Sequence, residues 1–248
     1  MVATAHTPTP ALVADELLTE LRSHASADNV AGMARFGISS AGTLGVAMPV
    51  MRALARDGRK RLGKDPAAHH ELAALLWASG VHEARIMAAL ADQPALVTPE
   101  QADAWAADLD SWDVCDQLCI ALLRRCDCAW LKAAEWTRAQ PEFVKRAGFS
   151  LGATLAVHDK TAPDDSFITL LDCAVRECTD ERNMVKKALN WQVRSIGKRS
   201  AALNAAAITA AEQMLAGHPT DRTARWIARD ALRELRSDAV RERLGISE

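Results

Sequence analysis

The 248-residue chain has no tyrosine, and only 4 phenylalanines accompany its 7 tryptophans. Aromatic and β-branched residues are the usual strand material, and here no segment alternates apolar and polar residues cleanly enough to define a strand. No apolar run approaches the roughly 18 residues that a membrane span requires. Residues 1–10 carry neither a basic start nor a long apolar stretch. They are expected to form a short disordered tail rather than a secretory signal, with residues 11–248 forming a single domain. C-x-x-C spacing is missing among the six cysteines, Cys115, Cys119, Cys126, Cys128, Cys173 and Cys178. Most lie in helical patterns, so reduced packing residues are expected, with no metal. An overall positive charge is lacking too. The net charge of −2 gives no general attraction to a polyanion.

Ala, Leu, Arg and Glu, all strong helix formers, dominate instead. Helix starts are written repeatedly. Thr98-Pro99-Glu100-Gln101 reads as an N-cap, a proline at the first helical position and a capping-box glutamine. Pro141 opens a helix over Glu142 to Val157 in the same way. Asp180 is placed to cap a helix running to about Arg199. Gly217-His218-Pro219-Thr220 closes one helix and caps the next.

A repeat runs through these helices. Val144-Lys145-Arg146-Ala147 recurs 41 residues later as Val185-Lys186-Lys187-Ala188, and Trp226 follows Val185 by another 41. His82-Glu83-Ala84-Arg85 is a looser earlier copy. A period near 40 in an all-helical chain is the HEAT and armadillo range. The expected fold is therefore all-α, a HEAT/armadillo-like superhelical solenoid of antiparallel helix pairs. Each pair buries its apolar face by stacking on its neighbours.

Charge is unevenly spread. Residues 180–248 carry 13 Lys and Arg against 9 Asp and Glu, whereas residues 1–179 carry 17 against 23. That distribution fits ordinary solvated helix faces, and it equally fits a basic stripe on an acidic body. Lys187, Arg194 and Lys198 lie on one helix with Trp191, so this segment is a candidate DNA-binding surface. A buried Trp191 ringed by solvated lysines would give the same pattern. In Asp110-Ser111-Trp112-Asp113-Val114-Cys115-Asp116, Trp112 and Asp116 stand four apart and so share a helix face. A π-face beside a carboxylate suits a cation. Capping and the helix dipole account for Asp110 and Asp113, but less well for Asp116, deeper in the helix.

These segments resemble the AlkD-type DNA alkylation repair family of HEAT-like repeat DNA glycosylases. The resemblance runs over roughly residues 30–244. It rests on Asp110–Gln117, Glu142–Lys160 and Asp180–Arg199, with Leu44-Gly45-Val46-Ala47-Met48-Pro49 and Arg225-Trp226-Ile227-Ala228-Arg229 in support. It implies excision of cationic N-alkylated purines such as 3-methyladenine and 7-methylguanine from duplex DNA, without a cofactor, by a cytoplasmic monomer. It assigns Trp112 and Asp116 to the catalytic pair, Trp191 to a second catalytic aromatic and Arg146 to a phosphate contact. The alternative is a non-catalytic repeat scaffold that binds a protein or undamaged nucleic acid.

Overall fold

The computed structural model describes residues 8–246, and every regular element among them is a helix. The described chain forms two compact units that meet in sequence at Asp127 and Cys128.

The first unit holds α1 (Pro10–Ser23), α2 (Ala27–Ala34), α3 (Met48–Arg61), α4 (Pro66–Ala78), α5 (His82–Ala91), α6 (Pro99–Ala107) and α7 (Trp112–Ala121). Three of them start alike, with a capping side chain followed by proline: Thr9-Pro10, Asp65-Pro66 and Thr98-Pro99. Thr9 and Pro10 thus belong to the start of α1. The tail expected over residues 1–10 otherwise falls on residues 1–7, which lie outside the described residues, and on Pro8. Thr98 Oγ1 accepts from the Gln101 amide at 3.2 Å, but the Gln101 side chain donates to Asp92 at 2.9 Å. Only half of the expected capping box forms, because a buried carboxylate competes for the glutamine.

Within this unit α3 packs on α5 and α5 on α7, while α1 and α4 pack on each other and against this row. Leu17, Leu21, Leu72, Leu76 and Met87 are sealed from solvent between the layers. Gly58 permits this approach: a Cβ there would stand 2.7 Å from Leu17 Cδ1 and 3.0 Å from Leu72 Cδ2. Trp77 and Trp105 stack with ring centroids 4.2 Å apart, and the Trp77 indole N–H donates to Asp108 at 2.8 Å. These rings are core, as the helical spacing of Trp105 indicates.

The second unit holds α8 (Ala129–Glu135), α9 (Glu142–His158), α10 (Asp164–Arg176), α11 (Asn183–Gly197), α12 (Ala201–Gly217), α13 (Arg222–Leu235) and α14 (Asp238–Leu244). Here α11 packs between α9 and α13, and α10 packs on α12. The repeat appears as side-chain-to-backbone links between successive helices. Arg146 Nη1 donates to the Met184 carbonyl at 2.8 Å, Asn190 Nδ2 to Ile227 at 3.1 Å, and Arg199 Nη1 to Ala156 at 3.3 Å. These links span 38, 37 and 43 residues, bracketing the 41-residue period. Ala147 and Ala188, one period apart, are both buried.

Two boundary expectations need correction. Asp180 does not cap α11, which begins at Asn183 after Arg182; its carboxylate accepts from the Arg182 amide and from Lys145 instead. Gly217 does close α12, but Asp221 rather than Thr220 caps α13, accepting from the Ala224 amide at 2.7 Å. The six cysteines are free and buried. Among the described residues no helix is long and apolar enough to cross a membrane.

Candidate functional site

The N-terminal ends of α3, α5 and α7 enclose a pocket of about 270 Å³. Met48 and Met51 come from α3, His82, Glu83 and Ile86 from α5, and Trp112, Asp113, Asp116 and Gln117 from α7. The one-turn spacing read from the sequence therefore brings Trp112 and Asp116 to the same cavity, both half-buried. The Trp112 indole N–H donates to the Phe36 carbonyl at 3.1 Å, which fixes the ring's edge. Trp112 also lines a second, wider cavity with Met33, Phe36 and Ile38, so it forms the wall between the two.

Two carboxylates besides Asp116 line the pocket. Glu83 has no solvent exposure. Its carboxylate accepts from the amides of Leu44, Gly45 and Val46 at 2.9, 2.6 and 3.1 Å. That wrap depends on Gly45, whose φ of 77° is left-handed and where a Cβ would collide with the Ser26 carbonyl. Asp113 Oδ2 lies 2.8 Å from His82 Nε2. His82 is only 2% exposed. Burial of the ring opposes its protonation, but the hydrogen bond and charge of Asp113, with Glu83 and Asp110 nearby, outweigh burial and raise its pKa. Asp113, read from the sequence as a residue of the helix start, thus also lines the pocket. Sequence reasoning missed His82 and Glu83, although both fell in the looser copy of the repeat.

Along α3, and beside the C-terminal end of α5, a basic groove opens, about 670 Å³ in volume, lined by Arg52, Arg56, Arg59 and Lys60 of α3 and by Lys64 just beyond it. Among the described residues none of these five cations makes an ion pair. Arg125 feels the same excess. Burial lowers its pKa most, and the charges of Arg124 and Arg59 lower it further. The acidic balance of residues 1–179 hides this local concentration of positive charge.

In the second unit, Arg146 is 6% exposed, with its guanidinium turned to the Met184 carbonyl. Its neighbour Lys145 is buried and holds Glu177 at 2.7 Å and Asp180 at 2.9 Å. Burial would raise the pKa of both carboxylates, but their bonds to Lys145 and to Arg176 or Arg182 outweigh it and depress them. Lys187, one period beyond Arg146, is exposed. Repeat-equivalent cations therefore differ in surroundings rather than lining up alike. Arg194 and Lys198 share Glu234, at 2.6 and 2.5 Å. Trp191 is half-buried on α11. Among the described residues no group of three or more His, Cys, Asp and Glu side chains could hold a metal ion.

Helix pairs repeating at about 40 residues, with an aromatic–carboxylate pocket and concentrated cations, define a HEAT-like repeat protein with a surface suited to a polyanion. The fold is shared with a solved structure described as one of a new family of proteins related to the HEAT-like repeat DNA glycosylases with affinity for branched DNA structures. The two match with a TM-score of 0.68 and 19% sequence identity, over 80% of this chain and 82% of that one. The chain belongs to the DNA alkylation repair enzyme family, whose family model matches residues 17–235. No curated protein matches it.

Proposed function

We propose that this chain binds duplex DNA and excises cationic N-alkylated purines, 3-methyladenine and 7-methylguanine among them. The observation that carries this reading is the shared pocket of Trp112 and Asp116. An alkylated purine already bears positive charge, so its glycosidic bond can break without protonation. The bonding electrons leave with the base, which becomes neutral, and positive charge passes to the deoxyribose. Asp116 is placed to stabilise that charge and to orient a water, which adds to C1′ and gives up its proton to the carboxylate. Trp112 offers a π-face to the cationic base or sugar. Of the neighbouring carboxylates, Glu83 is committed to three amides and Asp113 to His82. Together with Asp116 they give the pocket an acidic lining that suits a cation, and no cofactor enters the scheme.

The five cations along α3 and just beyond it suit the DNA backbone, because phosphates supply sequence-independent affinity through counterion release. Arg146, Lys187, Arg194 and Lys198 are proposed to extend backbone contact in the second unit, and Trp191 to flank the sugar as the resemblance implies.

A second reading is DNA binding without excision. Its support is the solved relative of the same fold, described by its affinity for branched DNA structures. Incubation with a duplex carrying 7-methylguanine separates the two. Release of free 7-methylguanine supports excision. Stable binding with no base released over hours overturns it and leaves the binding reading.

A further inference from the structure

The exposed face of α13 carries a tryptophan where helical patterning calls for a polar residue. Ala224, Ile227, Ala228, Ala231, Leu232 and Leu235 form the buried face of this helix. On the opposite face Arg222, Arg225, Trp226, Arg229 and Arg233 line an open trough of about 500 Å³. Trp226 is 44% exposed, and Lys186 Nζ stands over its ring, 5.6 Å from the centroid. Among the described residues Asp230 is the one carboxylate lining the trough, and Arg233 and Arg194 already engage it. Arg222, Arg225 and Arg229 make no ion pair among the described residues.

We infer that this trough is a stacking platform for an unpaired base of a DNA strand, with the arginines holding the flanking phosphates. The argument rests on the combination. Arginines alone suit any phosphate backbone, and an indole alone suits any apolar surface. An indole set among unpaired cations matches a strand whose charge and π-faces are both accessible. In an intact duplex the base faces are covered by their stacked neighbours, so the ring gains nothing there. At a gap, fork or frayed end the faces are open. This inference deepens the DNA-binding reading without depending on base excision, and it places the recognition of unpaired DNA on α13 rather than at the Trp112 pocket.

The test compares binding, at one fixed salt concentration, to an intact duplex and to the same duplex interrupted by a short single-stranded gap. The wild type should bind the gapped DNA about tenfold more tightly, the size of effect that one base stacked on an aromatic ring provides. Trp226→Ala should lose that preference while weakening the intact duplex far less, and Trp226→Phe should keep most of it. Arg225→Gln and Arg229→Gln should weaken both complexes alike. Circular dichroism and thermal melting of each variant exclude misfolding as the cause. Equal wild-type affinity for the two DNAs would overturn the inference while leaving the DNA-binding reading intact. So would Trp226→Ala weakening both equally, or tighter binding of a single-stranded RNA of the same sequence. Binding to neither DNA would remove the DNA-binding reading itself.

Discussion

His82 Nε2 and Asp113 Oδ2 lie 2.8 Å apart, one side chain from the start of α5 and the other from the start of α7. This hydrogen bond pins together the helices that form two sides of the candidate active site. Because Asp113 raises the pKa of His82 despite burial, the protonated ring is favoured in the folded state. The stability it contributes is fully present below the ordinary histidine value near 6.5 and is lost as pH rises through the raised value. Asp113→Asn should therefore cost about 2 kcal/mol below pH ~6 and progressively less at alkaline pH. Denaturant melts of both proteins across that range check it, and a penalty that grows with pH would contradict the pairing.

Asp116→Asn keeps the shape of the side chain and removes its charge. Base release from an alkylated duplex should fall about 100-fold or more, as for loss of other preorganised electrostatic groups. Affinity for undamaged duplex should hold or rise, since one repulsive charge is gone. Single-turnover assays at equal occupancy provide the comparison, and equal rates would make Asp116 an ordinary helix residue.

The unpaired cations of α3 predict a salt signature. Replacing Arg56, Arg59 and Lys60 together with alanine should reduce the steepness of log affinity against log salt by about 2 to 3, near 0.9 for each phosphate no longer neutralised. Glu234→Gln probes the other unit, because it frees Arg194 and Lys198 from their shared carboxylate. It should strengthen duplex binding several-fold at low salt and steepen the slope. A titration series by fluorescence anisotropy reads both, and an unchanged slope in the triple variant would move the phosphate-binding surface elsewhere.

Lys145 is buried against two carboxylates, so removing it strands both. Lys145→Met should destabilise the chain by about 3 to 5 kcal/mol. The depressed pKa values of Glu177 and Asp180 mean that this contribution is present above the ordinary carboxylate range and fades as pH falls through the depressed values. The variant should thus lose its disadvantage in acid, which melting curves from neutral to low pH would reveal.

Much of the architecture was readable in local chemistry. Thr98-Pro99 and Pro141 start helices where their side chains dictate, and the 41-residue spacing reappears as links between α9, α11 and α13. Asp180 misled because two candidate roles, capping and ion pairing, look identical in sequence; the partner that decided the matter, Lys145, lies on another helix. The pocket was half legible. Trp112 and Asp116 share a face by periodicity alone, whereas His82 is 31 residues from Asp113 and meets it only through packing. A local sign existed: His82 and Glu83 open a helix whose remaining residues are mostly alanine or aliphatic, where polar side chains become buried. The helix after Pro49 reads as basic in the sequence, but a charge total over 179 residues averages away the five cations that gather along one groove there.

On α3 the acid-lined pocket is reached from Met48 and Met51, while the unpaired cations run from Arg52 along the helix to Lys60, with Lys64 just beyond its end. On the proposed DNA-binding reading, an approaching strand would meet attraction and repulsion side by side. It would be drawn to the arginines and held off the carboxylates, which favours one orientation of approach. The consequence on that reading is kinetic: added salt should slow association more than it hastens departure.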